Sequence, residues 1–154
     1  MAISSALQDR FIELTSDLET KKKTDIASII GITYATFSKI YNYGIVPTVP
    51  ILMRIADYFD ISVEYLIGNT DIDAFVKSPN PATFHQRLYD LRMERKILTV
   101  YQLAETIHIH RNNIAQWYKN NSIPLIGEVE LIADHFGVSI DYLLGRTDDR
   151  EPYK

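Results

Sequence analysis

The chain of 154 residues carries 16 Lys+Arg against 20 Asp+Glu, a formal charge of -4, with 46% hydrophobic residues. That apolar fraction supports a packed core and excludes wholesale disorder, and the length suits one ordinary domain or two small ones. The absence of cysteine excludes disulfide frameworks, thiolate catalysis and Cys-based zinc sites, leaving four His and the carboxylates as the only metal-ligand types. No apolar run reaches about 18 residues, and Met1 to Arg10 lacks the basic-then-apolar order of a signal peptide, so a cytoplasmic protein with no membrane partner is expected.

Apolar positions recur at helical spacing and strand alternation is absent, which predicts an all-α chain. Leu7, Phe11, Leu14 and Leu18 line one face of a first helix. Lys22 stands where a capping residue would, so the second helix is expected to begin at Thr24. Gly31 makes a turn, and Thr33 caps a third helix carrying Phe37, Ile40 and Tyr41. Pro50 suits the first turn of a fourth helix, whose Ile51, Ile55, Ala56 and Phe59 are spaced for burial. Ser62 caps a last helix, with Glu64 in its positive first turn.

The segment Ile72 to Pro81 holds two prolines, which disfavour helix and push the residues before them to extended geometry. Its ten residues read as a linker with a reach of about 33 Å at roughly 3.3 Å per residue, and the boundaries are assigned as domain 1–72, linker 73–80 and domain 81–154. Beyond it the pattern starts again. Phe84, Leu88 and Leu91 line a helix, and Thr99-Val-Tyr-Gln102 fits a capping box with Leu103, Ala104 and Ile107 behind it. Ser139 and Asp141 repeat the last cap.

The restart is a repeat without a gap. Residues 7–71 align with 84–148 at an offset of 77, pairing Arg10 with Arg87, Ala27 with Ala104, Pro47 with Pro124, and Ile55-Ala-Asp57 with Ile132-Ala-Asp134. The tails agree almost throughout, Ser62-Val-Glu-Tyr-Leu-Ile-Gly-Asn-Thr-Asp71 against Ser139-Ile-Asp-Tyr-Leu-Leu-Gly-Arg-Thr-Asp148. One fold of five short helices is written twice.

In both copies a small residue in the second helix is followed by a turn residue four on and a bulky apolar residue six after that: Ala27, Gly31 and Phe37, then Ala104, His108 and Ile114. Alanine lets two helices cross closely, the turn residue supplies positive φ, and the apolar residue fixes the third helix on the core. With Thr99, Leu103, Ala104, Trp117, Pro124 and the tail from Ile132 to Asp148, this resembles the Cro/CI-type (XRE) family of phage and bacterial repressors. The resemblance implies two tandem five-helix, lambda-repressor-like helix-turn-helix domains. His108 departs from the usual turn glycine, and copy one departs at Lys23, Ile40 and Tyr34.

The resemblance further implies double-stranded DNA as partner, the third helix lying in the major groove while the start of the second touches a phosphate. Carried over residue by residue, the DNA-binding positions are Lys23, Thr33, Tyr34, Ala35, Lys39 and Asn42 in copy one. In copy two they are Thr99, His110, Arg111, Asn112, Gln116 and Lys119, of which Arg111, Asn112 and Gln116 have the chemistry for bidentate base reading. Tyr34, Tyr41 and Tyr43 stay open between groove contact, partner contact and partial packing.

The overall acidity does not oppose this, because association responds to where charges lie. Residues 21–48 hold Lys21, Lys22, Lys23 and Lys39 against Asp25, and 98–127 hold Arg111 and Lys119 against Glu105, with Arg92, Arg95 and Lys96 just before. The acids gather in 57–73 and 128–151. There is no glycine-rich phosphate loop, nucleophile elbow or paired carboxylate site, and His108 and His110 lack a third ligand, so neither enzyme activity nor a metal or other cofactor is expected.

Two functional readings remain. The first is a sequence-specific transcriptional regulator, a repressor, whose copies act as an intramolecular pseudo-dimer or in which copy two alone reads DNA while copy one forms a homodimer or binds a protein partner. The second is a protein-interaction module, an inhibitor or antirepressor, motivated by Tyr34 and Ala35 replacing polar readers.

Overall fold

The computed structural model describes residues 2–20 and 22–152, and Lys21 lies outside them. The chain divides into two units between Phe75 and Val76. The first holds α1 (Ser5–Ser16), α2 (Lys23–Ile30), α3 (Tyr34–Tyr43), α4 (Val49–Phe59) and α5 (Val63–Leu66). The second holds α6 (Phe84–Glu94), α7 (Val100–Ile107), α8 (Arg111–Lys119), α9 (Ile126–Phe136) and α10 (Ile140–Leu143). Among the described residues the only extended pairing is one antiparallel bridge, Ile3 to Ile45, and no helix is long and apolar enough to cross a membrane.

The helix starts follow from capping chemistry. Thr33, Ser62, Thr83, Thr99 and Ser139 each accept an amide hydrogen from three residues on, and Thr83/Gln86 and Thr99/Gln102 close reciprocal capping boxes. Without such a side chain α2 still begins at Lys23, one residue earlier than the Thr24 start expected from sequence. Lys22 serves there as an N-cap that makes no side-chain hydrogen bond. The inward face of α1 is also narrower than its leucines suggest. Leu7, Phe11 and Thr15 are buried, Leu14 and Leu18 only half-buried, and the Thr15 hydroxyl donates to the Phe11 carbonyl at 2.8 Å.

The segment between the helical regions makes contacts of its own. Of residues 73–80, Val76 accepts a hydrogen bond from the Thr147 hydroxyl through its carbonyl. Ser78 is buried, donating its amide to Arg146 O at 2.9 Å and its hydroxyl to Asp148 Oδ1 at 2.9 Å. Residues 76–80 therefore lie with the second unit, where their polar groups pair with the Arg146 carbonyl, the Thr147 hydroxyl and the Asp148 carboxylate.

Both tails close their units with the same clasp. Arg10 of α1 lies 3.6 Å over the Tyr65 ring and 3.7 Å from Asp71; Arg87 of α6 lies 4.2 Å over Tyr142 and 2.9 Å from Asp148. The six residues are the same three, 77 positions apart. A glycine makes the close approach possible: a Cβ at Gly68 would meet Ala6 Cβ at 2.6 Å, and one at Gly145 would meet Ala82 O at 1.9 Å. Both glycines have positive φ, +84° and +77°.

Gly145 and Gly137 separate space from conformation, since Gly137 has φ +66° but nothing within 4 Å of its Cβ position. Gly137→Ala is expected to cost the left-handed penalty alone, about 1–2 kcal/mol. Gly145→Ala is expected to cost distinctly more, because a carbonyl must also move; urea unfolding of both variants checks the order.

Candidate nucleic-acid interface

The interface candidates are built on α2–α3 and α7–α8, and the same contacts form each pair. Ala27 and Ala104 are buried at the crossings. Gly31 (φ +89°) and His108 (φ +58°) take the left-handed conformation at the turn, and the following amides of Ile32 and Ile109 donate back to the carbonyls of Ala27 and Ala104 at 3.0 and 3.1 Å. His108 does what glycine does in the first unit, at the steric cost of its Cβ.

The third helix is then fixed by what it buries. Phe37 and Ile40 are fully buried on α3, with Phe37 packed edge-on against Phe11 at 5.1 Å. Ile114 and Trp117 do the same on α8, with Trp117 edge-on to Phe84 at 6.2 Å. A helix that buries positions four and seven must present the opposite stripe outward. Thr33, Tyr34, Ala35, Lys39 and Asn42 are accordingly exposed, as are His110, Arg111, Asn112, Gln116 and Lys119. Asn112, Gln116 and Lys119 lie four and three apart on one stripe of α8. Lys23 and Thr99 are exposed at the starts of α2 and α7.

Several candidates have local duties. Thr33 Oγ1 accepts the Thr36 amide and lies 2.9 Å from Thr36 Oγ1, and the Asn42 amide donates to Ser38 Oγ at 2.9 Å. His110 is the N-cap of α8, its Nδ1 accepting the Asn112 amide at 3.2 Å, which leaves Nε2 as the outward donor. Lys23 Nζ sits 4.2 Å over the Tyr41 ring, so that tyrosine is half-buried beneath a cation while Tyr34 and Tyr43 are exposed. Arg111 lies 5.4 Å over the exposed Tyr101 ring. Tyr101 is a residue that sequence reasoning missed, since nothing in spacing links the second position of α7 to the first of α8.

The positive charge near α7–α8 is smaller than sequence suggests. Arg92 is buried, donating to the Ile97 and Leu98 carbonyls at 3.2 and 2.9 Å, and Arg95 donates to the His135 and Phe136 carbonyls, both at 3.1 Å. Arg92 thus ties the loop after α6, Arg95 ties that loop to the end of α9, and of the three only Arg95 and Lys96 are exposed.

Behind each third helix lies a concavity formed by equivalent positions. Thr36, Lys39, Pro47 and Ile51 line it in the first unit; Asn113, Gln116, Pro124 and Glu128 line it in the second. The exchange of Ile51 for Glu128 puts a carboxyl there whose Oε2 is buried without a hydrogen-bond partner. Burial pushes that carboxyl above the usual carboxylate range.

Residues 85–148 match the family described as "Helix-turn-helix domain". The second unit, which holds the matched segment, is thus similar to that helix-turn-helix family. It is also 39% identical over 67 residues to an uncharacterized HTH-type transcriptional regulator, YobD, of Bacillus subtilis (strain 168). That match covers 44% of this chain and 59% of the relative, so the chain spans about three fifths of the curated protein it matches. No solved structure gives a significant match. Within the helix-turn-helix family reading, α7 and α8 are the two helices of the motif, inside the matched segment.

Because the folded chain holds the Glu128 proton more tightly than the unfolded chain, stability falls as pH rises through the window just above the ordinary value of 4.5. Glu128→Gln cannot ionise. Its midpoint of thermal unfolding is expected to exceed that of the parent at pH 7 and to match it near pH ~4.

Proposed function

We propose that this chain is a sequence-specific, double-stranded-DNA-binding transcriptional regulator that represses by occupying a promoter, with α8 as its reading helix. The observation that carries the reading is the outward stripe of α8. Arg111, Asn112 and Gln116 are exposed together on a helix anchored by buried Ile114 and Trp117, inside the segment that matches the helix-turn-helix family. Arg pairs bidentately with guanine, and Asn or Gln with adenine, each worth about 1–3 kcal/mol of discrimination. His110 Nε2, Thr99 and Lys119 border that stripe as phosphate contacts, which set register and carry no sequence information.

The second reading, a protein-interaction module, is favoured by one feature of the first unit. Tyr34 and Tyr43 are 49% and 65% exposed on α3, where the second unit has Arg111 at the start of α8 and Asn120 as its C-cap. Under that reading α3 is the contact for a protein partner or a second copy of the chain.

Selection from a random duplex pool, followed by affinity measurements at several salt concentrations, tests the proposal. The parent is expected to enrich one motif, and Arg111→Ala to relax selectivity at one base pair, a loss of about 1–3 kcal/mol there. Enrichment of no motif, with no binding to any duplex at low salt, rejects DNA recognition in favour of the protein-interaction reading.

A further inference from the structure

The gapless repeat allows the surface of one copy to be read against the other position by position, and the charges do not coincide. Four exposed cations surround the α2–α3 motif of the first unit: Lys22, Lys23, Lys39 and Arg54. Their counterparts 77 residues on are Thr99, Val100, Gln116 and Leu131, none of them charged. Conversely, Tyr34 and Ala35 at the tip of α3 correspond to Arg111 and Asn112 at the tip of α8.

The structure ties these cations to the motif. Lys23 Nζ rests over Tyr41 of α3 at 4.2 Å. Arg54 of α4 donates to the carbonyl of the turn residue Gly31 at 2.8 Å. Lys39 lies on the outward face of α3 and lines the concavity beside the α3–α4 loop. Asp25 on α2 is the one acid on the motif, and copy two has Gln102 there.

Polar groups able to read bases are correspondingly few on α3. The Thr33 hydroxyl caps the helix, the Asn42 amide is held by Ser38, and Ala35 and Tyr34 offer no bidentate edge. Cations without readers suit a polyanion approached without regard to sequence; readers with few cations suit base edges.

From this complementarity, and resting on the DNA-binding reading, we infer that the two copies divide the work: the first unit grips the phosphate backbone of duplex DNA independently of sequence, and the second reads bases. The ligand of the α2–α3 surface is thus the sugar-phosphate backbone. Each lysine that neutralises a phosphate releases condensed counterions and adds about 0.9 to the slope of log affinity against log salt.

The test uses the full chain and the duplex motif that it selects, with a scrambled duplex beside it. The triple variant Lys22→Gln, Lys23→Gln, Lys39→Gln is expected to flatten the salt slope by about 2–3 and to weaken binding to both duplexes by the same factor. The preference for the selected motif stays at the parental value. Arg111→Ala is expected to do the reverse, losing preference while changing the slope by at most about 1. Circular dichroism of each variant at the parental value confirms the fold, and Lys39→Arg, which keeps the charge, is expected to restore part of the slope when introduced in the triple background.

A slope unchanged in the triple variant, or a preference that shifts at particular base pairs, overturns the division of work while leaving DNA recognition by α8 standing. A parent chain that selects no motif and binds no duplex overturns both. Loss of a chain–chain or chain–protein contact in Tyr34→Ala, with the salt slope intact, assigns the α3 surface to a protein and likewise overturns the inference.

Discussion

Each third helix is oriented by two apolar side chains, Phe37 and Ile40 in one unit and Ile114 and Trp117 in the other, and everything the surface offers depends on that burial. Helices of nine and ten residues, the lengths of α8 and α3, are marginal in water by themselves. Their stability comes from the seam, where a buried large apolar side chain contributes about 1.5–3 kcal/mol. The seam also sets the rotation of the helix about its axis. With positions 37 and 40, or 114 and 117, turned inward, the remaining polar residues have no freedom over which way they point.

Local chemistry was the most legible part of the sequence. The capping residues, the left-handed turns at Gly31 and His108, and the inward Ala27 and Ala104 follow from rules that act over three or four residues, and the structure places them accordingly. What escaped was whatever depended on a partner distant in sequence. Two prolines say that 73–80 is not helical, yet they carry no information about Ser78 finding Arg146 and Asp148. Counting Arg92 as surface charge failed because its guanidinium is buried against the Ile97 and Leu98 carbonyls, and the tie of Arg95 to the end of α9 was equally out of sight. The outward placement of the candidate site was readable from periodicity, whereas the stacking of Arg111 on Tyr101 required the crossing of two helices to be known.

The acidity of the chain also takes on a different meaning once partners are visible. Asp141 is fully buried against Arg146, Glu94 is held below the usual carboxylate range by hydrogen bonding to Arg150, and Asp148 is lowered by Ser78 and then Arg87. These acids work inside the second unit, Asp141 joining α10 to the tail and the other two joining α6 to it. A formal charge of -4 is therefore a poor description of what an approaching polyanion meets at the exposed helix faces. The pair Asp141–Arg146 becomes Glu64–Asn69 in the first unit, where the Asn69 amide donates to Glu64 Oε2 at 3.2 Å. The second unit thus buries a full ion pair where the first manages with a neutral donor, an arrangement in which loss of either partner strands a charge.

The Arg–Tyr–Asp clasp and its glycine lie on residues that share no position with α3 or α8. Folding and surface chemistry are thereby written in separate parts of the same text. Such a scaffold tolerates substitution along one exposed helix without unravelling. Seventy-seven residues on, the clasp is unaltered and the helix tip is rewritten, so one skeleton carries two different faces.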